Sequence, residues 1–78
     1  MSEWLLLGTE GCHLCEEAEM LLHQANMAFT YVDIINDESL QQQYGLLIPV
    51  VVHSASQKNL NWPFDLQQLN DFFKDIVL

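Results

Sequence analysis

The residues best equipped for chemistry are Cys12 and Cys15, the two cysteines of the chain, separated by His13 and Leu14. C-x-x-C spacing serves two kinds of chemistry, reversible dithiol–disulfide exchange and metal binding. On a helix, side chains three apart approach to about 5–6 Å, which fits disulfide geometry without tearing the backbone. As a permanent staple the pair would do little, because closing so short a loop is worth only ~2 kcal/mol in the chain-entropy model. A zinc site could draw on His13, His23 and His53 as well, but His13 is enclosed by the motif and the other spacings match no common zinc pattern. An iron–sulfur cluster shared between two chains and a redox-inert pair of small buried thiols are the further readings.

The elements that must position this pair can be read on either side of it. Trp4-Leu5-Leu6-Leu7 is a short apolar run ending at Gly8-Thr9-Glu10-Gly11, as expected of a strand covered on both faces. Leu14, Ala18, Leu21, Leu22 and Ala25 then recur at helical spacing, with Glu16, Glu17, Glu19 and Gln24 between them. A helix is predicted over about residues 13–25, with Asn26 as a left-handed stop. Residues 29–34 are β-branched and aromatic and form a second strand. Asn36 or Asp37 can cap a short helix running to about Gln43 and ended by Gly45. Residues 49–53 make a third strand opened by Pro49, residues 54–57 a turn, and residues 58–61 a weak fourth strand. Asp65-x-x-Gln68 resembles a capping box, and Leu66, Leu69, Phe73 and Ile76 form the stripe of a last helix, with Phe72 and Val77 at its margins.

The order is β-α-β-α-β-β-α in a single α/β domain over residues 1–78. Its first βαβ unit should be parallel and right-handed, and its last two strands a hairpin. Helical position also divides the cysteines. Cys12 falls at the helix entry beside Gly11, facing unpaired N–H groups and the positive end of the helix dipole, which stabilise a thiolate. Cys15 stands three and seven residues before Ala18 and Leu22, bordering the buried stripe. Cys12 is therefore assigned as nucleophile and Cys15 as resolving thiol. A protonated His13 would favour the Cys12 thiolate, while Glu10, Glu16, Glu17 and Glu19 oppose it, mostly through screened solvent.

Net charge is −9, with eleven Asp and Glu against Lys58 and Lys74 and no Arg. Phosphate neutralisation needs clusters of Lys and Arg, so nucleic acid is excluded as a partner, and anionic membrane surfaces are disfavoured. The field suits a neutral or basic protein partner, although such charge also serves solubility. The start Met1-Ser2-Glu3 is acidic and the apolar run behind it is too short for a signal core or a membrane span. A cytoplasmic setting is the expectation, and there a C-x-x-C pair is redox or metal chemistry before it is a structural disulfide.

Gly11-Cys12-His13-Leu14-Cys15-Glu16 after the first strand and Ile48-Pro49-Val50 at the third resemble the thioredoxin superfamily. The similarity is closest to glutaredoxin-like proteins, in the small bacterial branch with G-C-H-L-C-E near its start. Asp33 with Asp37, Tyr44-Gly45 and Trp62-Pro63-Phe64-Asp65 extend it over nearly the whole chain. The resemblance implies a thioredoxin-like fold, with a four-stranded mixed sheet and helices on both faces. It also implies a cis bond between Ile48 and Pro49, with Pro49 against the cysteines and the Ile48 backbone docking an extended substrate; from base rates alone the bond would be trans.

By the same resemblance the function is thiol–disulfide exchange on protein disulfides or glutathione mixed disulfides. The chain would work as a monomer with no tightly bound cofactor, with glutathione as co-substrate or a thioredoxin reductase-type protein as donor. Several positions depart from glutathione-using relatives. Thr9-Glu10-Gly11 stands where a Lys is common, no Gly-Gly-Asp segment follows the fourth strand, and Leu6 replaces thioredoxin's buried carboxylate. Asp65 could still receive the glutathione amino group, but the cationic groups that grip its carboxylates are missing, and protein disulfides are the slightly favoured substrate. A binding module docking a partner through Ile48 and Trp62, and a metal carrier using Cys12 and Cys15, are the alternatives. Trp62 and Phe64 either form an aromatic contact near the cysteines or, more commonly for such residues, close the core. His23 and His53 read as ordinary helix and strand-end residues, Asp33 as a turn or capping carboxylate, and Gln41-Gln42-Gln43 as a solvated face.

Overall fold

In the computed structural model, which describes residues 3–77, the first apolar run is strand β1 (Trp4–Gly8). Met1, Ser2 and Leu78 lie outside the described residues, so the acidic start is represented by Glu3 alone. The chain continues as α1 (His13–Gln24), β2 (Thr30–Asp33), a 3-10 turn (Ile34–Asn36), α2 (Glu38–Tyr44), β3 (Val50–His53), β4 (Lys58–Asn61) and α3 (Leu66–Val77). The strands form one sheet in the order β2-β1-β3-β4. β1 runs parallel to β2, with Leu6 opposite Tyr31, and antiparallel to β3, with Leu7 opposite Val50. β3 and β4 are the expected antiparallel hairpin.

Both faces of the sheet are covered, which explains why β1 and β3 read as continuous apolar runs. On one face Trp4, Leu6 and Val51 pack with Ala18 and Leu22 of α1, Phe64, and Leu69 of α3. On the other, Leu7, Val50 and Val52 pack with Ile34, while Leu40 and Tyr44 of α2 lean against them. This is the thioredoxin-like arrangement, a four-stranded mixed sheet between two helical layers.

Local chemistry sets the element ends. Asn26 takes the left-handed conformation, φ 57°, just past α1. Asp37 caps α2, accepting the Leu40 N–H at 3.0 Å. Asp65 and Gln68 form the capping box of α3: the Gln68 N–H donates to Asp65 Oδ1 at 2.8 Å, and the Asp65 N–H to Gln68 Oε1 at 3.0 Å.

Three expectations are corrected. Leu14 is 44% exposed rather than part of the buried stripe, because the buried line of α1 runs through Cys15, Ala18 and Leu22 and Leu14 falls at its margin, about 100° round the helix from Cys15. Ile34 opens the 3-10 turn instead of ending β2, since the Asp33 carboxylate accepts the Ile35 N–H at 3.0 Å and turns the chain. Gly45 ends α2 as expected, right-handed at φ −53°, its N–H donating to the Gln41 carbonyl at 2.8 Å. Gln41 is more than a solvated side chain, because its Nε2 donates to the carbonyls of Ile34 and Ile35 at 3.0 and 2.6 Å and ties α2 to the 3-10 turn. The Ile48–Pro49 and Trp62–Pro63 peptide bonds are both cis.

Candidate active site

The site forms where β1 ends. Gly11 sits at φ +81°, in the left-handed region open to glycine, and reverses the chain. Cys12 follows as the N-cap of α1, extended at φ −87° and ψ 108°. Its carbonyl accepts the Glu16 N–H at 3.2 Å, the first helical bond, while its Sγ accepts the Cys15 N–H at 3.2 Å. Sulfur thus takes the place that a Ser or Asp oxygen takes in an ordinary cap, satisfying one of the otherwise unpaired N–H groups of the first turn.

Cys12 and Cys15 are joined as a disulfide with their Cα atoms 5.2 Å apart. Their environments differ. Cys15 is 1% exposed, more deeply buried than its position beside the stripe implies, whereas Cys12 is half-buried. His13 points away into solvent, its Nδ1 3.7 Å from Glu16 Oε2. His23 lies 3.9 Å from Glu19 on the exposed face of α1. His53 is buried at the opposite end of the sheet, its Nδ1 2.8 Å from Ser56 Oγ and its ring against Trp4. The three histidines do not gather around the cysteines, and among the described residues no group of three or more His, Cys, Asp and Glu stands close enough to hold a metal ion.

Pro49 arrives at the same end of the sheet, one residue before the Leu7–Val50 pair. Its carbonyl accepts the Trp62 N–H at 3.1 Å, so the residues after β4 are tied to the proline. Ile48 is half-buried and donates its own N–H to the Tyr44 carbonyl at 3.1 Å. Phe64 is buried in the core, and Trp62, half-buried, packs edge-on against it with ring centroids 5.0 Å apart. The Asp65 carboxylate is occupied by the capping box. Neither lysine joins the site: Lys58 pairs with His53 at the far end of β3, and Lys74 is in the last turn of α3.

One residue of the site was missed in the sequence. Tyr31 of β2 lies opposite Leu6, and its hydroxyl reaches the space over Gly8, where Cys15 Sγ also lies. Burial, followed by the charges of Asp33, Glu19, Glu16 and Glu10, pushes the Tyr31 phenol above its ordinary value. The signal was strand alternation, but it becomes readable only once the β1–β2 register is known.

A thioredoxin-like sheet with a C-x-x-C disulfide opening its first helix defines a class, and the comparisons narrow it. Residues 3–74 match the family described as Glutaredoxin-like domain (DUF836), and the chain belongs to that family. Comparison with curated proteins gave no match. Among solved structures, the chain is similar to the Northeast Structural Genomics target protein XcR50 from X. campestris. The X-ray structure shares 36% identity over 92% of this chain and 96% of that one, with a TM-score of 0.86. The solution structure gives 36% identity over 96% and 95%, with a TM-score of 0.84. Protein Ne2328 from Nitrosomonas europaea is similar at 25% identity over 91% and 89%, with a TM-score of 0.69.

Proposed function

We propose that the chain is a thiol–disulfide oxidoreductase in which Cys12 is the nucleophile and Cys15 the resolving thiol. The observation that carries this reading is the cap of α1: Cys12 Sγ accepts the Cys15 N–H at the helix start, while the Cys15 sulfur is buried behind it. The N–H that meets the sulfur in the disulfide is placed to meet a thiolate after reduction, and the helix dipole adds to the effect.

The Cys12 thiolate attacks a substrate disulfide, forming a mixed disulfide and expelling one substrate sulfur as thiolate. The Cys15 thiolate then attacks Cys12 Sγ, the second substrate thiolate departs, and the pair is left oxidised. Two electrons pass to the substrate, its thiolates take protons from solvent, and an external thiol or dithiol donor restores the pair. Ile48 and Pro49, at the same end of the sheet, would dock an extended peptide through the Ile48 carbonyl, since the Ile48 N–H is engaged by Tyr44. Trp62 is the neighbouring aromatic contact for the same substrate. His13 serves as an exposed charge regulator.

Protein disulfides are preferred over glutathione mixed disulfides, because glutathione is an anion approaching a protein of net charge −9 with no cation at the site. The setting is cytoplasmic and the chain acts as a monomer; among the described residues no helix is long and apolar enough to cross a membrane. The test is mass spectrometry of the protein after incubation with a disulfide substrate. Cys12→Ser abolishes turnover, and Cys15→Ser accumulates a covalent adduct on Cys12. Full turnover by Cys12→Ser overturns the assignment, and an inert wild-type pair turns the reading to a binding module.

A further inference from the structure

Resolution requires Cys15 as a thiolate, and its surroundings work against that. Its side chain is buried, and burial disfavours a thiolate. The buried polar or charged side chain among the described residues is His53, at the other end of β1, so no buried base stands behind the sulfur. The carboxylates nearest this corner, Glu10 before α1, Glu16 and Glu19 on α1 and Asp33 on β2, all repel negative charge.

Tyr31 enters the corner from β2. Leu6 and Tyr31 are partners in the parallel ladder and share the face that carries α1. Two residues along the same face, β1 has Gly8 and therefore no side chain. A Cβ there would stand 2.7 Å from Tyr31 Oη, 3.0 Å from Cys15 Sγ and 3.1 Å from Cys15 Cβ. The phenol hydroxyl and the buried sulfur thus converge on one notch, left open by the glycine. A phenol is protonated at neutral pH, and partial desolvation with the four carboxylates shifts Tyr31 further that way although the residue is 37% exposed, so its hydroxyl is available as a donor.

We propose that Tyr31 is a hydrogen-bond donor to the resolving thiol, its hydroxyl donating to the Cys15 thiolate whenever the disulfide is open. The inference rests on the dithiol reading above and gives Cys15 the stabilisation that its burial denies it. In the resolving step the Cys15–Cys12 bond forms, the bond from Cys12 to the substrate sulfur breaks, and the electron pair leaves with the substrate thiolate. That thiolate takes its proton from solvent, and Tyr31 keeps its own throughout.

The thiol is read directly in a Cys12→Ser protein, where the 13Cβ shift of Cys15 is followed against pH. Adding Tyr31→Phe, which removes one oxygen, moves the Cys15 midpoint up by about one pH unit, as expected for losing a hydrogen bond to a charged group. Gly8→Ala fills the notch with a methyl group and moves the midpoint the same way. An unchanged midpoint in either variant overturns the proposal.

Kinetics in the protein with both cysteines supply the second readout, using dithionitrobenzoate as probe. Reduced protein releases one thionitrobenzoate when Cys12 attacks and a second when Cys15 resolves. Tyr31→Phe leaves the first phase unchanged and slows the second about threefold below the Cys15 midpoint, since an about tenfold loss of thiolate is partly offset by the greater nucleophilicity of a more basic sulfur; the deficit vanishes at high pH, where Cys15 is ionised in both proteins. Equal slowing at every pH indicates a structural defect and overturns the donor role. Failure is distinguishable from failure of the dithiol reading: absence of the second release in wild type removes the resolving role itself, and this inference with it.

Discussion

Asp65 has been placed by its sequence context at a docking site and by its hydrogen bonds at a helix cap, and substitution separates the two. Its carboxylate accepts the Gln68 N–H at 2.8 Å while its own N–H is answered by Gln68 Oε1 at 3.0 Å. These bonds hold the first turn of α3, the helix that sends Leu69 into the core. Asp65→Ala deletes the side-chain acceptor and leaves Gln68 with half of its role. Loss of an N-cap costs about 1 kcal/mol, which for a domain of this size lowers the unfolding midpoint by roughly 4–8 °C. Asn caps about as well as Asp, so Asp65→Asn loses only the charge–dipole part, a few tenths of a kcal/mol at a screened surface. The assay is urea and thermal unfolding followed by far-UV circular dichroism, with the urea slope unchanged across the set. If Asp65→Ala unfolds with wild type, or Asp65→Asn falls as far as Asp65→Ala, the cap argument is wrong. A double-mutant cycle with Gln68→Ala gives a further check, because reciprocal bonds make the two losses non-additive.

Two further predictions concern the core and the alkaline limb. Leu69 is fully buried between α3 and the sheet, so Leu69→Ala costs about 3 kcal/mol; a urea measurement below about 1 kcal/mol would mean that α3 does not close this core. The Tyr31 phenol is raised above its ordinary value of 10.0, so its contribution is complete below the unfolded-state value. Above it the unfolded chain loses the proton first, and stability falls as pH rises through the folded-state value. Tyr31→Phe should therefore show a shallower loss of urea stability above about pH 10; identical slopes in the two proteins refute it.

Features set by short-range chemistry were readable from the residues alone. The end of the first strand at Gly8, the helix entry at Cys12, the left-handed Asn26 and the Asp65–Gln68 box each depend on a few neighbouring residues, and each appears in the structure. What escaped depends on where an element lies relative to the rest. Leu14 has the right period for the buried stripe, but the stripe is centred on Cys15, Ala18 and Leu22, and Leu14 falls at its margin. Ile34 belongs by composition to β2, and the Asp33 carboxylate wins over strand propensity by capping the turn. Gln41 looks solvated in a run of three glutamines, yet bonds to two carbonyls six and seven residues back. Tyr31 is indistinguishable from any strand aromatic until parallel pairing sets it opposite Leu6, two positions before the gap at Gly8.

The C-x-x-C motif brings two thiols together, but their inequivalence comes from the backbone on either side. Gly11 turns left-handed, which lets Cys12 arrive in an extended conformation at the N-cap with its sulfur on the Cys15 N–H. Gly8 removes a side chain from the face behind Cys15, leaving open the notch on which the second sulfur and the Tyr31 hydroxyl both border. Each glycine therefore serves one cysteine, the first by freedom of φ and the second by absence of Cβ. Substitution should separate them accordingly: a side chain at residue 11 strains the turn and disturbs the attacking thiol, while one at residue 8 crowds the resolving thiol with the turn intact. A motif search that reads only the four residues from Cys12 to Cys15 sees neither effect, because the asymmetry is encoded one and four residues before the first cysteine.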